Sequence, residues 1–194
     1  MVAETKLNLV GSMSFIPSVL MLALPAQTGS GEVQVKGCYI NYDYAYSVTL
    51  PNGLVGHRSA APSPNHGFGI DISKPRTSYV WADGSYNAVE WRSFGDVVHA
   101  RVARLRDEGS TELRLVKRAA TRLGGLTAQR YVIRYRHPDS NVPVMLEAVL
   151  AFRRDPGGAA IVYTLELITS ESQYRRDRIV LESLRRRWML RPLP

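Results

Sequence analysis

The sequence predicts an α+β domain, an antiparallel β-sheet packed with two main helices (an α/β sandwich). Two observations carry this. Several segments of strand length alternate in polarity and are separated by turns rich in Gly and Pro, and two other segments repeat their apolar residues at steps of three and four. Their order is strands, helix, strands, helix, which suits an antiparallel sheet with helices laid on it.

The chain opens with an apolar run, Leu7 to Leu24, preceded by Lys6 and followed by Pro25-Ala26 and a polar stretch. A weak positive end, an apolar run and a small residue are the parts of a secretory signal, so residues 1–26 are read as a signal peptide. An uncleaved membrane anchor is the alternative, although Asn8, Gly11, Ser12, Ser14 and Pro17 dilute the run. Residues 27–37, with Gly29, Ser30 and Gly31, read as a flexible linker, and residues 38–194 as one domain. A strand is expected over Tyr42–Leu50, with Tyr42, Tyr44, Tyr46, Val48 and Leu50 on one face, stopped by Pro51-Asn52-Gly53. Residues 55–66 read as a Ser/Pro-rich loop, followed by strands at His66–Ser73 and Tyr79–Ala82.

The first helix carries Trp91, Phe94, Val98, Val102 and Leu105 at helical spacing, with Asn87 or Ser85 as the expected cap and Asp107-Glu108-Gly109 as the stop. Strands then follow at 112–118, 130–136, 144–152 and 161–169. Leu123-Gly124-Gly125-Leu126 and Asp155-Pro156-Gly157-Gly158 form turns between them. A last helix begins near Ser172, with Tyr174, Leu181, Leu184 and Trp188 as its buried stripe. Tyr44, Tyr46, Val48, Trp91, Val98, Leu105, Tyr131, Ile133, Leu165, Leu167, Leu181, Leu184 and Trp188 are the expected core.

The net charge of +8 comes mainly from arginine, since only Lys6, Lys36, Lys74 and Lys117 are lysines among 25 basic residues. Arginine forks suit carboxylates and phosphates, so an anionic partner is one reading and plain solubility the other. The single cysteine, Cys38, forms no internal disulfide and is expected to be buried beside Tyr39 and Ile40. No zinc spacing, Walker loop or complete dinucleotide loop occurs; Gly67 and Gly69 lack the third glycine and the following helix. No cofactor and no metal are therefore expected.

His57 and His66 bracket the Ser/Pro loop, with Ser59, Ser63 and Asp71 nearby in sequence. A nucleophile, a base and an orienting carboxylate could be drawn from them, although no Gly-x-Ser-x-Gly elbow exposes a serine. His99 and His137 read as solvated. If the four later strands are neighbours, Arg114, Arg130, Arg134, Glu147, Thr164 and Glu166 share one wet sheet face. Such a face is explained by cross-strand ion pairs, or it captures an anionic group. The basic residues Arg175, Arg176, Arg178, Arg185, Arg186 and Arg187 on the last helix read as a face interrupted by Glu171, Asp177 and Glu182, with peripheral contact to an anionic membrane as the functional alternative.

Three patterns carry a family resemblance. Tyr46-Ser47-Val48-Thr49-Leu50-Pro51-Asn52-Gly53 is a strand running into a Pro-Gly turn. Leu123-Gly124-Gly125-Leu126-Thr127-Ala128-Gln129-Arg130-Tyr131 is a glycine turn into a central strand. Tyr163-Thr164-Leu165-Glu166-Leu167 leads to a terminal helix that closes with Arg187-Trp188. Over residues 42–190 the chain resembles the exported α/β sandwich superfamily of PsbP-like and DcrB-like proteins. The resemblance implies export and a non-catalytic accessory or binding role, and it brings no functional residue with it.

The expected function is therefore an exported binding or accessory protein of the cell envelope, periplasmic or extracellular. It would act on an envelope protein or an anionic small ligand and not on nucleic acid. Arg114, Arg130, Arg134, Glu147, Glu166, His57 and His66 are the candidate binding residues. The alternatives are a small hydrolase built on the His57/His66 loop and a membrane-surface protein held by its uncleaved N-terminus.

Overall fold

The computed structural model describes residues 32–59, 66–73, 77–155 and 157–193. The expected signal peptide, the start of the linker, residues 60–65 of the Ser/Pro loop with Ser63, and Pro156 lie outside the described residues. The first strands are β1 (Glu32–Val35), β2 (Cys38–Asn41), β3 (Tyr46–Thr49), β4 (Gly56–Ser59), β5 (Gly67–Asp71) and β6 (Tyr79–Tyr86). Helix α1 (Phe94–Asp107) follows, then β7 (Thr111–Leu123), β8 (Leu126–Arg136), β9 (Pro143–Arg154) and β10 (Ala160–Ser170). The chain closes with α2 (Tyr174–Arg186) and β11 (Trp188–Leu190).

Eight strands form one antiparallel sheet in the order β1-β4-β5-β6-β10-β9-β8-β7, and β11-β3-β2 form a small second sheet. The predicted α+β sandwich is observed, and both faces of the large sheet are packed, with the edge strand β7 left mostly exposed. On one face Val97, Val98 and Leu105 of α1 pack on Tyr131, Ile133, Leu146 and Leu150. On the other, Tyr39, Tyr46, Val48 and Trp188 of the small sheet join Leu181 and Leu184 of α2 over Phe68, Ile70, Leu165 and Leu167. No described helix is long and apolar enough to cross a membrane.

Several local expectations are corrected. Residues 32–35 are a strand paired with β4, not part of a tether, because Val33 and Val35 alternate with polar residues and Val35 reaches the core. By the same pairing, residues 56–59 leave the expected loop. The tyrosine run does not make one strand. Asn41 accepts the Tyr44 N–H at 2.9 Å and Ala45 takes a positive φ of 49°, so the chain reverses between β2 and β3. Tyr42 is thereby left outside, 70% exposed, with the Arg191 guanidinium 5.6 Å from its ring centre.

Cys38 is exposed at the start of β2, since the alternation buries Tyr39 and Asn41 instead. The cap of α1 is Ser93, which forms a capping box with Asp96. Asn87 instead closes the preceding turn by bonding the backbone N–H and C=O of Trp91, and Trp91 is only partly buried beside the α1 core. Trp188 is not the last turn of α2 but pairs with Val48 as a strand, its ring stacked 4.5 Å from that of Tyr46.

The entry to α2 is fixed by a buried carboxylate. Asp177 accepts hydrogen bonds from Ser78 and from Thr169 (2.7 Å), joining the helix to the start of β6 and the end of β10. Burial pushes its pKa up, but these bonds and the one from Arg176 hold it below the ordinary aspartate range. A carboxyl lowered in the folded state contributes stability above its unfolded pKa, and that contribution is lost as pH falls through the folded value. Asp177→Asn should therefore lower the urea midpoint near neutral pH, and its difference from the parent should shrink below about pH 4. Urea titrations over the acid range measure this.

Candidate functional site

The register places the expected arginine face, and it splits it. Partners across antiparallel strands share a face, so Arg130, Arg134, Glu147 and Val149 lie together with Leu165 and Leu167. Thr164 and Glu166 lie on the opposite face, with Trp81, Ala148 and Leu150. The expectation of one shared wet face is therefore corrected. One residue of parity separates Glu166 from Leu165, and both faces are roofed.

On the α2 side, Glu147 is fully buried between helix and sheet. It accepts hydrogen bonds from Arg178 Nε at 2.8 Å and from the Tyr174 hydroxyl, and Arg130 Nε lies 3.2 Å away in an ion pair. Arg130 also donates to Glu182, which is bonded to Arg185 Nε at 2.9 Å. Burial and the Glu147 carboxylate together push the Tyr174 hydroxyl well above the ordinary range. Nearer the surface, Arg134 forms a two-pronged contact with Glu171, both bonds 3.0 Å. Glu112 reaches Arg136 at 2.9 Å. Of the expected binding residues, Arg130, Arg134 and Glu147 thus share one face, but the charges of Arg130 and Glu147 are spent on holding α2 to the sheet and that of Arg134 on Glu171 and Glu112. Arg114 is exposed on the edge strand β7.

The two loop histidines meet different neighbours. His57 lies across from Gly69, 3.7 Å from Glu32. A Cβ at Gly69 would sit 3.0 Å from the His57 ring and 3.3 Å from Trp81, so glycine is what lets both rings close over β5. His66 stacks on Tyr44, 5.3 Å between ring centres, and its carbonyl accepts the Tyr46 hydroxyl at 2.8 Å. Asp71 is exposed at the end of β5.

A ligand-sized opening lies on the other face, beneath α1. It has two lobes. One, of about 490 Å³, runs between Tyr79, Leu105, Tyr135 and Val144, with Ser110, Ser140 and Ser170 at its margin. The second, of about 480 Å³, runs between Trp81, Trp91, Tyr131 and Asp83. Tyr79, Arg101 and Arg104 line both. Each lobe is of the size of a small-molecule site, with largely apolar walls and a few polar groups.

At the waist, Arg101 donates to Glu166 at 2.6 Å. Its Nε is buried with no hydrogen-bond partner among the described residues. Burial pushes the Glu166 carboxyl up and the Arg101 guanidinium pulls it back, while the pair keeps Arg101 charged. Burial also raises the Tyr135 hydroxyl to about 12 and pushes Asp83 above the ordinary carboxylate range, against the pull of His66, Ser85 and Trp81. Among the described residues, no cluster of three His, Cys, Asp or Glu could hold a metal.

Arg101 was not singled out from the sequence, yet its signal is present. Val97, Arg101 and Leu105 repeat at steps of four, so an arginine sits inside the buried stripe of α1. A long cation there requires a carboxylate on the facing strand, and Glu166 between Leu165 and Leu167 is that residue.

No family model and no curated protein matches the sequence. Solved structures do. The cyanobacterial PsbP of Synechocystis sp. PCC 6803 is 15% identical, with a TM-score of 0.55 over 88% of this chain and 98% of that one. LpqN of Mycobacterium tuberculosis, described as involved in cell envelope biogenesis, is 11% identical with a TM-score of 0.58 over 83% and 92%. The Saccharomyces cerevisiae Ran-binding protein Mog1p is 12% identical with a TM-score of 0.50 over 81% and 96%. These likenesses are of fold: the chain adopts the PsbP-like α+β sandwich, as its sequence patterns predict.

Proposed function

We propose that this PsbP-like sandwich is an exported accessory or binding protein of the cell envelope, and that it holds a partner segment or a small ligand in the two-lobed cleft beneath α1. The observation that carries the reading is the waist of that cleft. A buried arginine–carboxylate pair sits in the floor of an opening walled by Trp81, Trp91, Tyr79 and Tyr135. Such a pair is a weak source of stability, since desolvation offsets much of its attraction. Its Nε–H, buried without a partner, suits it to a ligand acceptor that enters the waist. The envelope role described for LpqN and the apolar N-terminal run support the cellular setting. The arginine face beneath α2 is the lesser candidate because Arg130 and Glu147 are already paired within the fold.

A photo-crosslinking residue in place of Ala100, which is exposed and lines the second lobe, tests the reading in the native envelope. The expected result is a discrete adduct that is absent when the same group replaces Gly157 on the β9–β10 hairpin. No adduct from Ala100, or identical adducts from both positions, would overturn it.

A further inference from the structure

We propose a second site, separate from the cleft, that binds a phosphate-class oxyanion where the β7–β8 turn meets the end of α2. A pocket of about 390 Å³ there is lined by Arg122, Gly124, Gly125, Arg185, Arg186, Trp188, Met189 and Leu190. Three of these are cations and none is acidic. Two of the cations are held in place by the fold. Arg122 Nη1 donates to the Gly125 carbonyl at 2.9 Å, and Arg185 donates through Nη1 to the Arg122 carbonyl at 3.1 Å and through Nε to Glu182. Those bonds leave further guanidinium N–H groups on both side chains, because each fork carries five donors. Arg186 is exposed, and no ion pair among the described residues engages it.

The second observation is independent of charge. Trp188 is 3% exposed, and its Nε1 has no hydrogen-bond partner among the described residues. The indole sits under the glycine turn, since a Cβ at Gly124 would lie 2.9 Å from Trp188 Cδ1, the carbon bonded to that nitrogen. Gly124 and Gly125 have φ values of 56° and 89°, and without side chains the turn leaves the pyrrole edge of the ring next to the pocket. A buried N–H without an acceptor is unfavourable, and most such groups in native proteins are satisfied.

A tetrahedral oxyanion offers what both features lack: a counter-charge for a cluster of arginines and an acceptor for the indole. The C-terminal dipole of α2 opposes an anion with about half a charge. Three guanidinium groups outweigh it, and arginine is the side chain best suited to phosphate oxygens. The same chemistry is presented by free phosphate and by a phospholipid headgroup.

The test follows the three indole N–H signals of the full-length protein by NMR, with that of Trp188 assigned by its loss in Trp188→Phe. Inorganic phosphate, titrated against chloride at matched ionic strength, should move the Trp188 signal saturably. Arg122→Gln/Arg186→Gln, both exposed positions, should weaken this binding at least about tenfold while leaving the melting temperature unchanged. Flotation with phosphatidylcholine vesicles, with and without phosphatidylglycerol, separates the two sources. Retention that requires phosphatidylglycerol and both arginines identifies a headgroup, and a phosphate response without retention identifies a soluble anion. No saturable movement with phosphate or vesicles, or an unchanged response in the double variant, would overturn the site.

Discussion

Replacing Glu147 with alanine should cost about 3–5 kcal/mol, because it removes the buried carboxylate that pairs both Arg130 and Arg178 under α2 and leaves the two to share Glu182 alone. For a domain of this size that corresponds to a fall of roughly 6–20 °C in melting temperature. The cost is high because Glu147 is fully buried, so no water replaces the lost acceptor. It is not a measure of what the network contributes when intact. Replacing Glu147, Arg130 and Arg178 together by leucine and methionine removes charge and demand at once, and should recover most of the loss. The exposed Arg134–Glu171 pair provides the contrast. It has better two-pronged geometry, yet Glu171→Ala should cost no more than about 1 kcal/mol because water solvates both groups. Thermal melts of the three variants decide the matter, and a Glu147→Ala loss under about 1 kcal/mol would show that the Glu147 network does little to hold α2.

The contrast between these two pairs also explains what could be read from the sequence. Alternation in β8 correctly separates Tyr131, Ile133 and Tyr135 from Arg130 and Arg134, because one face packs on α1 and the other meets α2. The hairpin turns were legible from glycine chemistry, since Gly124 and Gly125 both need positive φ. What alternation does not reveal is whether a polar face is wet. Glu166 and Glu147 read alike as outward carboxylates, but each is roofed by a helix bringing its own arginine from far along the chain. The tyrosine run failed for a local reason. Asn41 and Asp43 favour a turn, and the side-chain bond from Asn41 to the Tyr44 backbone ends a strand that hydrophobic periodicity alone would continue. The small sheet escaped because its third strand, β11, follows α2 directly, so Trp188 continues the helical spacing of Leu181 and Leu184 while belonging to a different element. The cleft escaped with it, being a gap between two faces rather than a run of residues.

Glu166→Ala should be nearly as damaging, again about 3–5 kcal/mol, because the charge of Arg101 would remain under α1 without the carboxylate that pairs with it. Its consequence should reach further than stability. Arg101 lies between the two lobes, and its fork is aimed by Glu166 across the sheet, so losing the carboxylate frees the guanidinium to swing toward solvent. Glu166→Gln keeps the shape and one acceptor oxygen. It should cost less in melting temperature than the alanine variant while still loosening the fork. If the waist of the cleft orients what is bound, the Ala100 adduct should weaken in Glu166→Gln although the protein remains folded. In Arg101→Met/Glu166→Met the melting temperature should recover and the adduct should not. A double variant that melts like the parent and crosslinks like the parent would mean that the pair only fills space beneath α1, and that any ligand is held by the aromatic walls of the two lobes.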